Sequence, residues 1–427
     1  MAKIIITGMG IVSAIGNNIG ETLTALQAQK SGIAPLRYLQ TSHTEFPAGE
    51  VKMSNEEMMH LLNISENEPT TRTSLMGMLA VREALQNAGF PNSSKEVAFF
   101  HPLDELKVAF INGTTVGGMD KSEQFYLDFL ENDTKNAYIS THDCGASTEM
   151  IADYFGLFSQ VDTISTACSS AANAIILGAE LLKSGRADIV VAGGAECITK
   201  FNLNGFNTLM ILDKEQCRPF DATRTGLNLG EGAAYLVMES AAHFRTRIFA
   251  DKDKNPRQSA QSASSAFQKI LFVELSGYAN TCDAFHQTAS SPDGEGAYLA
   301  MKKAIEDANL QPSDIDYINA HGTGTENNDL SEGTAIMRLF GDKIPPVSST
   351  KSFTGHTTST AGCVEAVISI LALRHNFIPA NLNFSEKMPE LSFAPATNGQ
   401  PIKPLQHILS NSFGFGGNDS SLIFSKF

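Results

Sequence analysis

The chain of 427 residues is 42% hydrophobic and 18% charged, enough apolar material for one large core or two fused ones. Its 46 acidic against 31 basic residues leave a formal charge of −15, which repels phosphate backbones and argues against a nucleic-acid partner. Six cysteines, at 144, 168, 197, 217, 282 and 363, form no C-x-x-C pair, so neither a zinc site nor a disulfide framework is expected.

MAKIIITGMG reads as a strand and turn, not as a secretory signal, and no apolar run reaches the ~18 residues of a membrane span; a cytoplasmic protein is expected. Short β-branched runs follow as buried strands: KIIIT (3–7), VAFIN (108–112), DTIST (162–166), DIVVAGG (188–194) and AAYLVME (233–239). Helical patterns over 71–89 and 169–185 lie between them, each ending on a glycine. Residues 250–266, ADKDKNPRQSAQSASSA, are polar and low in complexity and read as a connecting loop. The alternation then resumes with strands at 269–277, 316–322, 347–350, 407–414 and 420–425 and helices near 294–308 and 360–374. The fold class is α/β.

Two stretches echo each other. VDTISTACSSAANAIILGAELLKSG is strand, sharp turn and small-residue helix, and 345–373 follows the same plan. The pattern predicts an internal duplication with two parallel-rich sheets, one half over 1–249 and the other over 267–427.

Cys168 stands at the strand-to-helix junction, where unpaired N–H groups and the helix dipole favour a thiolate. Ala171, Ala172, Ala174, Gly178 and Ala179 mark the following helix as central and closely packed. His321, in NAHGTGT, and Lys351 with His356, in STKSFTGH, stand at further strand ends, the places where open α/β sheets bind ligands. Glycine-rich NSFGFGGND (411–419) offers backbone N–H groups for an oxyanion. A lone cysteine or histidine is more often structural; the set points to catalysis.

TACSSA, NAHGTGT, STKSFTGH and NSFGFGGN, in this order, resemble the β-ketoacyl-[acyl carrier protein] synthases, the elongating branch of the thiolase superfamily. The opening IIITGMGIVSAIG and CRPFDATRTGLNLGEGAA (217–234) are also similar. The resemblance covers nearly the whole chain. It implies the thiolase-like duplicated five-layer α/β/α/β/α fold, usually as a dimer, of two copies or with a similar subunit. It further implies decarboxylative Claisen condensation with malonyl-[acyl carrier protein], in fatty acid or type II polyketide or polyene assembly. By that resemblance Cys168 carries the acyl chain, with Cys168 and Phe415 N–H groups as the oxyanion hole. His321 and His356 serve the decarboxylation, and Lys351 pairs with Glu365. Thr323 and Thr325 hold the phosphopantetheine arm, Phe413 and Phe415 flank the mobile loop, and Val116 lines the acyl pocket. No metal and no cofactor of its own is implied, since phosphopantetheine arrives on the acyl carrier protein. Arg72, Arg218 and Arg224 are docking candidates by position alone.

The segment 139–156 and the ending GFGGND depart from the family pattern and leave the acyl substrate open. A degradative or biosynthetic thiolase would want a second reactive cysteine beside the terminal glycine loop, where FGFGGND has none, and a non-catalytic chain-length partner would lack Cys168. A dinucleotide site at TGMGIVSAIG lacks its last glycine, Ser13 standing there.

Overall fold

The computed structural model describes residues 3–90, 106–254 and 272–427. Its strands are β1 (Ile4–Ser13), β2 (Val108–Gly113), β3 (Gln160–Ile164), β4 (Ile189–Glu196), β5 (Gly232–Ser240), β6 (Val273–Cys282), β7 (Tyr317–Asn319), β8 (Val347–Ser348), β9 (His407–Gly414) and β10 (Asn418–Lys426). They are hydrogen-bonded in the order β3-β2-β4-β5-β1-β6-β10-β9-β7-β8. Counted from its own first strand, each half has the order third, second, fourth, fifth, first. The directions repeat too. Within each half, the second strand runs parallel to the third and fourth. The fifth runs antiparallel to the fourth and first. The duplication is thus visible in topology.

Two sequence expectations change here. The sheets are mixed, not parallel-rich. They are also joined edge to edge, through a short antiparallel seam in which Ile4, Ile5 and Ile6 of β1 pair with Leu275, Glu274 and Val273 of β6.

Five layers follow from which faces are apolar. Along β5, Leu236 and Met238 belong to the core between the halves, while Tyr235 and Val237 belong to an outer core, as the two-residue period of a strand requires. The inner layer holds the helices Ser170–Lys183 and Ala361–His375. In the latter every residue from Ala361 to Leu373 is buried, so this stretch turns no face to solvent, and its polar Glu365 and Ser369 find partners inside. Close approach needs small residues: a Cβ on Gly362 would stand 2.8 Å from the Ala172 Cβ. Helices Arg72–Asn87 and Cys144–Phe155 cover the outer face of the first half, and Glu295–Asp307 and Glu326–Phe340 that of the second.

TGMG is not a turn. β1 runs through it to Ser13, with a bulge between Ile6 and Gly8. Gly8 and Gly10 serve packing instead, since Cβ atoms there would lie 2.3 Å from the Ala84 carbonyl and 2.1 Å from that of Ala80. The helix Ala241–Lys254 takes up residues 250–254 of the expected connecting loop, and 255–266 lie outside the described residues. Among the described residues no helix is long and apolar enough to cross a membrane.

Candidate active site

Beyond β3 the chain makes a tight elbow. Ala167 has φ +51°, a left-handed conformation that costs about 1–3 kcal/mol and is tolerated best by a small side chain. Side-chain bonds hold the elbow. Ser170 Oγ donates to the Ala167 carbonyl at 2.6 Å, and Ser169 Oγ donates to that of Thr166 at 2.8 Å. Cys168 is thereby presented just before the helix Ser170–Lys183, which starts one residue later than a direct dipole contact would want.

Cys168 is 6% exposed. Burial pushes its thiol up to about 11, against the opposing influence of Lys351 and of the Phe415 N–H that donates to the sulfur. The thiolate expected from the helix start is therefore outweighed by desolvation, and the sulfur needs a base. His356 supplies a nitrogen: its Nε2 lies 3.1 Å from Cys168 Sγ. The first half places this histidine, for His356 N–H donates to the Asn228 carbonyl at 2.7 Å and Gly230 N–H to the His356 carbonyl at 2.9 Å. His356 Nδ1 is buried and has no partner among the described residues.

His321 follows β7, its ring 5.3 Å from that of His356 and at right angles to it. Lys351 Nζ donates to His321 Nδ1 at 3.3 Å, which leaves the ring proton on Nε2. Lys351 is itself buried and closely ion-paired with Glu365. Desolvation first, and then the Lys351 charge, hold both imidazoles well below the ordinary histidine value, so both are neutral. Burial pushes Glu365 up to about 7, with Lys351 opposing.

The glycine loop between β9 and β10 closes the site. A Cβ on Gly414 would stand 3.0 Å from the Thr166 carbonyl and 3.2 Å from Cys168 N, so only a bare backbone brings this loop to the elbow. Phe415 is half-buried and stacks on Phe206 at 5.8 Å, while Phe413 is buried 5.7 Å from the His321 ring.

Two cavities meet at Cys168. One, of about 420 Å³, is lined by His321, His356, Thr323, Thr325, Phe413 and Phe415 as well as the sulfur. The other, of about 380 Å³, is lined by Val116, Thr115, Phe201, Phe206 and Phe415. The structure thus brings together all ten residues singled out in the sequence, Lys351 and Glu365 standing behind the histidines and not in the cavity wall.

A family model described as "Beta-ketoacyl synthase, N-terminal domain" matches residues 1–243, and one described as "Beta-ketoacyl synthase, C-terminal domain" matches residues 272–385. The chain belongs to the β-ketoacyl synthase family. It is 30% identical to a protein named 3-oxoacyl-[acyl-carrier-protein] synthase 2 from Coxiella burnetii (strain RSA 493 / Nine Mile phase I), over 99% of this chain and 98% of the relative. A protein of the same name from Staphylococcus aureus (strain COL) is also 30% identical, over 100% and 98%. Among solved structures, "The ishigamide ketosynthase/chain length factor" superposes with a TM-score of 0.84 at 27% identity, over 100% of this chain and 99% of that one. A β-ketoacyl synthase from Burkholderia phymatum STM815 gives 0.80 at 26% identity, over the whole of both chains.

Sequence reasoning missed two carboxylates that organise this β-ketoacyl synthase site. Glu332 accepts the N–H groups of His321 at 2.9 Å and Gly322 at 2.7 Å, and Asn411 Nδ2 at 3.0 Å. Glu196 does the same for the Thr114–Thr115 loop. Both are single acidic letters whose partners meet them only in the fold. The docking arginines need correction. Arg72 is buried against Glu231 at 2.6 Å. Arg224 donates to the Thr325 and Glu326 carbonyls, and Arg218 is held by Asp213 and Glu215. None is a free surface cation. Among the described residues no group of three or more His, Cys, Asp or Glu is arranged to hold a metal.

Proposed function

We propose that this β-ketoacyl synthase condenses an enzyme-bound acyl thioester with malonyl-[acyl carrier protein], giving 3-oxoacyl-[acyl carrier protein], in fatty acid or type II polyketide or polyene biosynthesis. The observation that carries the reading is the contact of Cys168 Sγ with His356 Nε2, with His321 beside it, where two cavities meet. The names of its full-length relatives support the same reaction.

Cys168 sulfur attacks the acyl thioester carbonyl while its proton passes to His356 Nε2. Negative charge on the carbonyl oxygen meets the N–H groups of Cys168 and Phe415. The carrier thiolate leaves and takes the proton from His356, so the imidazole is neutral again. Malonyl-carrier then enters past Thr323 and Thr325. Its carboxylate leaves as carbon dioxide, and the electron pair forms an enolate whose oxygen accepts from His321 Nε2–H and from His356. No protein partner pins His356 Nδ1, so the ring can be base in one stage and donor in the next. The enolate carbon attacks the Cys168 thioester, the carbon–sulfur bond breaks, the chain gains two carbons, and the leaving Cys168 thiolate takes one proton from solvent. Phe415 is read as the gate between the cavities, and phosphopantetheine as a visitor on the acyl carrier protein, not a cofactor of this chain.

We also read the chain as two thiolase-like halves, 1–249 and 267–427, connected through 250–266, in a cytoplasmic protein. It pairs with a second copy or with a similar subunit. Helix Met119–Glu131 buries none of its residues and leaves Tyr126, Leu127 and Leu130 exposed, a surface suited to pairing. A degradative thiolase is disfavoured because no cysteine but Cys168 lines either cavity: Cys363 is buried among the inner helices with its thiol pushed well up by burial, and Cys282, whose Sγ lies 3.6 Å from the Gly416 carbonyl, is exposed and outside both walls. A non-catalytic partner is disfavoured by Cys168 itself.

Cys168→Ala tests the reading. Intact-protein mass spectrometry with an acyl carrier thioester is expected to show one acyl adduct on the wild type and none on the folded variant. An adduct surviving on Cys168→Ala would refute the assignment.

A further inference from the structure

Glu196 ends β4 with its side chain fully buried, and it lines neither cavity. Its carboxylate nonetheless reaches the strap that follows β2. Glu196 Oε2 accepts from Thr114 Oγ1 at 2.6 Å and from the Thr115 N–H at 2.9 Å, and Glu196 Oε1 closely accepts the Thr115 hydroxyl. The Val116 N–H donates to the same Oε2 at 3.5 Å, so four donors on one buried carboxylate hold three consecutive residues. Thr115 and the next residue, Val116, are wall residues of the 380 Å³ cavity beside Cys168.

The strap is fixed from its other side as well. Cys144 Sγ donates to the Thr115 carbonyl at 3.2 Å. Gly117 is left-handed, and a Cβ there would stand 2.8 Å from the Asp143 carbonyl. The wall is thus held by a buried acid, a cysteine side chain and a close backbone contact, all outside the cavity.

Resting on the condensing reading above, we propose that Glu196 is a positioning residue for chain-length selection: by anchoring Thr114 and Thr115 it sets where Val116 stands, and so how much acyl chain the cavity beside Cys168 admits. Glu196 touches neither sulfur nor substrate. Its removal leaves the Thr115 and Val116 N–H groups and two hydroxyls without their acceptor, and the strap moves outward to find water. The cavity widens and longer chains gain.

Self-acylation of the whole protein by one short and one long saturated acyl carrier thioester, followed by intact mass, tests this. Glu196→Ala is expected to raise the long-to-short ratio of acylation rates by about tenfold, the scale on which a methylene or two is discriminated in an apolar pocket. Glu196→Gln keeps one acceptor oxygen and is expected to stay within about twofold of the wild-type ratio. A Glu196→Ala protein that acylates more slowly but at the wild-type ratio overturns the inference, because a merely structural role slows both donors alike. If Glu196→Ala does not fold, Thr114→Val removes one of the four bonds from a residue outside the cavity; a shifted ratio supports the proposal and an unchanged one overturns it. Wild-type protein that takes up neither donor overturns the condensing reading and this inference with it, an outcome distinct from an unchanged ratio.

Discussion

Lys351→Met removes one buried cation and leaves its partner behind. Lys351 is 1% exposed, pairs with Glu365, and donates to His321 Nδ1. Methionine fills much the same space, so the change is mostly electrostatic. An uncompensated buried carboxylate costs about 3–5 kcal/mol. The unfolding entropy of ~2.1 cal/mol/K per residue comes to about 0.9 kcal/mol/K for a chain this long, so the melting temperature should fall by about 3–6 °C. The pH dependence has a definite sign. Glu365 already stands at about 7, and Lys351 is what opposes a further rise. A carboxyl whose folded value lies above its unfolded value loses stability as pH rises from the unfolded value through the folded one. The deficit of Lys351→Met is therefore small near the ordinary carboxyl value of 4.5 and grows through neutrality. Thermal scans at about pH 6 and about pH 8.5 should show a wider gap from the wild type at the higher pH. In the same variant His321 loses the donor that fixes its proton on Nε2. Carbon dioxide release from malonyl-carrier on acylated enzyme should drop by about 10²-fold or more, with self-acylation much less affected. Wild-type decarboxylation together with an unchanged melting temperature at both pH values would refute the reasoning.

Three further outcomes are expected. Both imidazoles are held below their ordinary value of 6.5, so their contribution to stability is present above 6.5 and is lost as pH falls below it; thermal scans of wild type against His321→Ala should converge only on the acid side, and convergence on the alkaline side would contradict the shifts. Val116→Phe should shift self-acylation toward shorter chains by about tenfold in rate ratio, measured with a ladder of acyl carrier thioesters; an unchanged preference would remove Val116 from the acyl wall. Gly362→Ala places a methyl 2.8 Å from Ala172 Cβ and should destabilise by about 1–3 kcal/mol in urea titration, whereas a neutral effect would mean that the inner helices are less tightly packed than described.

Most strands were legible because a buried strand writes itself as a short β-branched run, but β1 continues six residues past its expected end at 7 and β6 five past its expected end at 277, residues 269–271 of that expectation lying outside the described residues. The four motifs were legible because Cys, His and Lys at strand ends are rare in apolar surroundings. TGMG misled because glycines signal turns locally, while here they make room for the Arg72–Asn87 helix. The seam between β1 and β6 could not be read, since Ile4–Ile6 looks the same whichever strand lies beside it. Glu196 and Glu332 were invisible because their partners, backbone N–H groups with the Thr114 and Thr115 hydroxyls and the Asn411 amide, are far from them in sequence and meet them only in the fold. The thiolate expectation failed because a helix start can be located from sequence, but the desolvation of a particular sulfur cannot.

Cys168 stands at the elbow just before the Ser170–Lys183 helix of one half, and His356, the base proposed for it, on a loop of the other, with Gly362 and Ala172 packed closely between the inner helices. Turnover therefore works as a strain gauge for the junction of the two repeats. A bulky substitution deep in that junction, far from any substrate, would register first as a lengthened reach between sulfur and nitrogen and only later as unfolding.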